Sequence, residues 1–117
     1  MNTEHKRVLL VDDEPLVLEL FENTLSSAGY DVFTAASAAE AVKLLQRAFV
    51  DILICDVMLE GLDGFEIMKI AREHLPTVDV TLITGAPSYS DRLRAEEFGA
   101  RYISKPVGLD TLLNSLQ

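Results

Sequence analysis

"VLLVDDE", residues 8–14, runs four apolar residues straight into Asp12, Asp13 and Glu14. An unbroken apolar run of this length reads as a strand covered on both faces, the habit of parallel sheets. The carboxylates at its end are harder to account for. Like charges about 5 Å apart repel by roughly 3 kcal/mol even at an effective dielectric near 20. Either a cation belongs at this spot or the acidic residues merely decorate a surface turn.

The same pattern recurs along the chain. Ile52–Cys55 and Val80–Ile83 are apolar or nearly so, Val32–Ala36 is softer and reads as an edge strand, and Ala100–Ser104 completes a set of five. Helical stripes lie between them. Val17, Leu20, Phe21, Thr24, Leu25 and Ala28 share one face, with Gly29 as a stop signal. Ser37 is placed to cap a second helix, with Glu40 as its capping-box partner. Phe65, Met68, Ala71 and Leu75 form a third stripe, closed by Pro76, and Leu109, Leu112, Leu113 and Leu116 form the last. Residues 88–98 make a weak fourth helix whose large apolar residues are Tyr89, Leu93 and Phe98.

Strict βα alternation implies an α/β fold, a doubly wound parallel sheet with helices on both faces. Function in such folds gathers beyond the carboxyl ends of the strands. The first strand delivers Asp12 and Asp13 there, the third Asp56, the fourth Thr84, and the fifth Ser104 and Lys105.

Composition sets the limits. The chain has 117 residues, 49% of them hydrophobic, enough for one packed domain. A net charge of −9 argues against direct contact with nucleic acid. A single cysteine, Cys55, excludes an internal disulfide and fits a reducing compartment. No apolar run is long enough to span a bilayer, and the start MNTEHKR lacks a signal-peptide core. The expectation is a soluble cytoplasmic domain, with residues 1–6 as a short tail.

Clustered carboxylates without histidine or thiol ligands suit a hard divalent cation, Mg²⁺ above all. Mg²⁺ retains waters and shares its shell readily with phosphate oxygens, so the natural guest is a phosphoryl group. Lys105 offers that group a mobile positive charge and Thr84 a hydroxyl donor. Asp56 can act as a nucleophile, since carboxylates form aspartyl phosphates in covalent catalysis.

"LLVDDE" at 9–14, "LICDVMLEGLDGFE" at 53–66, "LITG" at 82–85 and "GARYISKP" at 99–106 together resemble the response-regulator receiver domain of two-component signalling. The resemblance covers essentially the whole chain. It implies a flavodoxin-like sheet in the order 2-1-3-4-5. Asp56 would accept phosphate from a histidine kinase or histidine phosphotransfer domain. Asp13, Asp56 and the Met58 carbonyl would hold Mg²⁺, with Asp12 acting through water, while Thr84 and Lys105 grip the phosphoryl oxygens. Tyr102 would be the aromatic switch coupled to Thr84, and the Lys105–Pro106 bond would be cis. A receiver is not an enzyme acting on a separate substrate. It catalyses its own phosphorylation and slow dephosphorylation, and it acts on an output domain or effector, in some cases as a phosphorylation-dependent dimer. Glu60, Val107, Met58 and Ala86 depart from common family residues without touching the main side chains of the site. The chain stops ten residues beyond Val107, which leaves room for a final helix but none for an output domain. It therefore reads as a stand-alone receiver or a piece of a longer regulator.

Plainer readings compete. Acidic residues before a helix are favoured by its macrodipole. Cys55 reads as a small buried hydrophobe, and Asp63-Gly64 as the turn into the third helix. His5 and His74 are neither ligands nor phosphate carriers on this reading. Two other functions share the fold: a flavin carrier, whose phosphate "DDEPL" would repel, and a degenerate receiver serving as a protein-interaction module. Asp12, Asp13, Asp56, Thr84 and Lys105 in one chain favour the phosphoacceptor.

Overall fold

The computed structural model describes residues 6–116, so His5 and the rest of the expected tail up to residue 5 lie outside the described residues. The elements alternate as expected: β1 (Arg7–Val11), α1 (Pro15–Ser27), β2 (Asp31–Ala35), α2 (Ala38–Arg47), β3 (Ile52–Asp56), α3 (Gly64–His74), β4 (Asp79–Thr84), α4 (Tyr89–Glu97), β5 (Arg101–Ser104) and α5 (Leu109–Ser115). All pairings are parallel, in the order β2-β1-β3-β4-β5.

Because side chains alternate across a strand, the two faces of the sheet build separate cores. Val8 and Leu10 of β1, Ile52 and Ile54 of β3, and Ile83 of β4 pack with Phe21 and Leu25 of α1 and Leu112 of α5. Leu9, Val11, Leu53, Cys55, Val80 and Leu82 face the other way, against Ala41 and Leu45 of α2, Ile67, Met68 and Ala71 of α3, and Ala95 of α4. Burial of each large side chain in these layers contributes about 1.5–3 kcal/mol. Between the first set of strand residues, Thr81 is fully buried with its hydroxyl oxygen unpaired.

Local signals account for most helix ends. Gly29 takes a positive φ of 99° after α1. Asp63 and Glu66 form a full capping box at α3, the structural turn expected there. At α2 the Ser37 hydroxyl accepts from the Glu40 N–H as expected, but Glu40 Oε1 accepts from the Ala36 N–H, one residue before the cap. The stripe on α1 is rotated from the expected one. Phe21 and Leu25 are buried with Val17 and Leu18 partly so, while Leu20 is 50% exposed and Ala28 lies at the surface. A short helix crossing a twisted sheet covers a narrower strip than its full apolar face.

Register aligns the site. Val11 pairs with Cys55, so Asp12 comes level with Asp56, while Asp56 pairs with Ile83 and Thr84 with Ser104. The chain leaves β1 for β2 on one side and returns to β3 on the other, so Asp12 and Asp56 flank the switch point of the strand order.

Candidate phosphoryl and metal site

Asp12, Asp13 and Asp56 each place a carboxylate oxygen within 4.8 Å of the others. Asp12 and Asp56 are buried and Asp13 is exposed. Burial pushes the Asp12 carboxyl above its usual range, against the pull of the Glu14 N–H and of Lys105. Asp12 Oδ1 accepts that N–H at 2.9 Å, and Asp56 Oδ1 accepts the Met58 N–H at 3.1 Å. Backbone amides thus orient both carboxylates. The donors are all oxygen, and among the described residues no imidazole or thiolate joins the group. Cys55 points into the opposite core, where its thiol donates to the Asp56 carbonyl at 3.3 Å and burial raises its pKa. The set fits a hard divalent cation.

Lys105 reaches in from the end of β5. Its Nζ lies 2.9 Å from Asp56 Oδ2, 2.9 Å from Glu14 Oε1 and 3.2 Å from Asp12 Oδ2. Desolvation would lower its pKa, but the hydrogen bonds to Asp56, Glu14 and Asp12 outweigh it and the net shift is upward. Glu14 does more than sit before a helix. It is the N-cap of α1, yet its side chain makes no capping bond and turns to Lys105. Glu14 was not among the expected site residues. Its only signal is its place as third carboxylate in the turn.

Thr84 is fully buried at the end of β4, and its oxygen accepts the Ala86 N–H at 3.0 Å. Tyr102 is held elsewhere: its hydroxyl accepts the Ser88 N–H at 3.1 Å and Arg92 stands 5.3 Å from its ring centre. Met58 is 60% exposed beside Asp56, and Lys105–Pro106 is cis. The sequence also gave no hint that Gly64 supports Asp56. A Cβ there would come within 2.7 Å of the Asp56 carbonyl oxygen.

Fold and site define a flavodoxin-like α/β domain with an acidic pocket and one bridging lysine at its switch point. The chain belongs to the response regulator receiver domain family, whose pattern it matches over residues 8–117. It is 33% identical over 117 residues to the transcriptional regulatory protein GlrR of Escherichia coli (strain K12), covering 99% of this chain but 26% of that protein. The chain therefore spans about a quarter of that relative's length. Among solved structures, a CheY-like receiver domain protein from Methanospirillum hungatei superposes with a TM-score of 0.90 at 30% identity, covering 97% of this chain and 91% of the other. A response regulator protein from Burkholderia pseudomallei, solved with a phosphorylated aspartic acid, a calcium ion and citrate, has a TM-score of 0.87 at 26% identity, covering 96% of this chain and 66% of that one. Among the described residues no helix is long and apolar enough to cross a membrane.

Proposed function

We propose that residues 1–117 form a single phosphoacceptor receiver domain, working in the cytoplasm, that takes a phosphoryl group from a histidine kinase or histidine phosphotransfer domain onto Asp56. One observation carries the reading. In a member of this family, Asp12, Asp13 and Asp56 lie within 4.8 Å of one another with the Lys105 ammonium 2.9 Å from Asp56. The phosphorylated aspartic acid of the Burkholderia neighbour supports it.

In the proposed step an Asp56 carboxylate oxygen attacks phosphorus. The new O–P bond forms as the P–N bond to the donor histidine breaks, and the leaving imidazole keeps the electron pair and takes a proton from solvent. Asp12, Asp13, Asp56 and the Met58 carbonyl are the residues that would hold Mg²⁺, which when bound neutralises charge on the phosphoryl oxygens. Lys105 passes from the Asp56 oxygen to a phosphoryl oxygen. The Thr84 oxygen already accepts from Ala86, which leaves its hydroxyl proton free to donate to another.

Beside the site a groove of about 500 Å³ runs along α1, with Val17, Leu20, Phe21, Pro106 and Val107 among its lining residues and Lys105 at its edge. Its apolar wall and nearby Leu16, which is 81% exposed, suit the helix of a phosphodonor. Phosphorylation would then act on an output domain or effector. The relative in Escherichia coli is a transcriptional regulator, which makes gene control one precedent for the output.

Incubation with acetyl phosphate and Mg²⁺ should add one phosphate, read as a mass shift. Asp56→Asn and excess chelator should each abolish it. Labelling that survives in Asp56→Asn refutes the assignment.

A further inference from the structure

Lys105 has three N–H donors and three carboxylate partners, Asp56, Glu14 and Asp12. Two of these, Asp12 and Asp56, belong to the group that would hold a divalent cation. A cation there cancels the negative potential that retains the ammonium and repels it directly. The grip of Asp12 and Asp56 on Lys105 must weaken just when the lysine is needed. Glu14 stands outside that group, so its hold survives.

Helix capping does not explain why Glu14 sits where it does. Good N-caps are short polar side chains, and Glu14 makes no side-chain capping bond. Its backbone is nevertheless firmly placed, between the N–H bond to Asp12 and Pro15 at the first helical position. From that fixed point the side chain bridges 91 positions of sequence to Lys105 at 2.9 Å. The reach of a glutamate serves this bridge.

We infer that Glu14 is the positioning residue of Lys105, keeping its ammonium at the mouth of the site when a divalent cation occupies Asp12 and Asp56. The inference rests on reading Asp56 as the phosphoacceptor and Lys105 as the counter-charge of the phosphoryl group. Glu14 lies outside the carboxylate group that would hold the cation. It acts through the lysine alone.

Glu14→Gln keeps the size and removes the charge at a side chain that is 59% exposed, so the fold should hold. The first readout needs no reaction: the ¹⁵N ammonium resonance of Lys105, assigned with Lys105→Arg, followed with and without Mg²⁺. In the parent the ammonium protons should stay protected in both conditions. In Glu14→Gln they should stay protected without Mg²⁺, held by Asp12 and Asp56, and become fast-exchanging with it. The second readout is labelling by acetyl phosphate at saturating Mg²⁺, which should slow by about fivefold, the equivalent of about 1 kcal/mol for a partly exposed ion pair. Equal protection in variant and parent with Mg²⁺ present overturns the inference. So does labelling that is as fast or faster, since Glu14 would then be idle or a restraint on the lysine. If neither protein is labelled, the phosphoacceptor reading has failed, and the ammonium signal alone decides the role of Glu14.

Discussion

At the scale of single residues, the lifetime of the proposed phosphoryl group should depend on Met58 and Ala86. An aspartyl phosphate is lost when water attacks phosphorus opposite the Asp56 oxygen, and that water must be oriented. Met58 is 60% exposed on the loop after Asp56, and Ala86 follows Thr84 at the surface, its N–H bonded to the Thr84 oxygen. A thioether is a weak acceptor and a methyl group orients nothing. Met58→Asn combined with Ala86→Glu should therefore speed loss of phosphate by about tenfold, equivalent to about 1.4 kcal/mol of barrier. Decay is followed after the phosphodonor is removed, and a double mutant no faster than the parent rules these positions out. Gly64 packs against the backbone of the same aspartate, at its carbonyl oxygen. Gly64→Ala must displace the Asp56 backbone by an amount the packed strand end resists, at a cost of about 1–3 kcal/mol. Chemical denaturation should show that loss together with slower labelling. Unchanged stability would mean the strand end yields freely.

Among the elements, α4 differs from its neighbours. Ala95 is its one buried residue, whereas Tyr89 is 76% and Leu93 46% exposed. It is held largely through polar and ring contacts: Arg94 lies 4.2 Å from the Phe65 ring centre, Arg72 of α3 donates to the Phe98 carbonyl, and the Ser88 N–H bonds Tyr102. Few buried apolar contacts mean a low local opening energy, which suits a switch. Movement of Thr84 toward a phosphoryl oxygen would open space for Tyr102, and the Ser88 bond and the Arg92 stacking would break together. Amide exchange over residues 88–98 should change when beryllofluoride and Mg²⁺ are added, more than in α2. A flat profile across that stretch counts against α4 as the moving element.

Over the whole molecule, Cys55 offers a probe of cooperativity. It is fully buried in the central strand, beneath the site, and burial raises its thiol pKa above the ordinary 9.0. The folded state thus prefers the neutral thiol. This contribution to stability is fully present below pH 9 and is lost as pH rises through the folded value. If the sheet opens only as a unit, alkylation of Cys55 should be at least about 10³-fold slower than that of a free thiol, matching a global stability of several kcal/mol. Labelling near the free-thiol rate would reveal local opening of β3. The sequence by itself determined the alternation of elements, the edge position of β2 and the strand ends that carry Asp12, Asp13, Asp56, Thr84 and Lys105. Those follow from runs of apolar residues and from the period of their spacing, which are local properties of the chain. Only the tertiary structure decided which stripe of α1 is buried, that Tyr102 is held by Ser88, that Gly64 must be small, and that Glu14 belongs to Lys105 and leaves its helix uncapped. The lysine's bonds to Asp56 and Glu14 span 49 and 91 positions. No local periodicity encodes contacts of that range: they exist because parallel strands in this order end side by side, so that charges far apart in sequence must share one small volume.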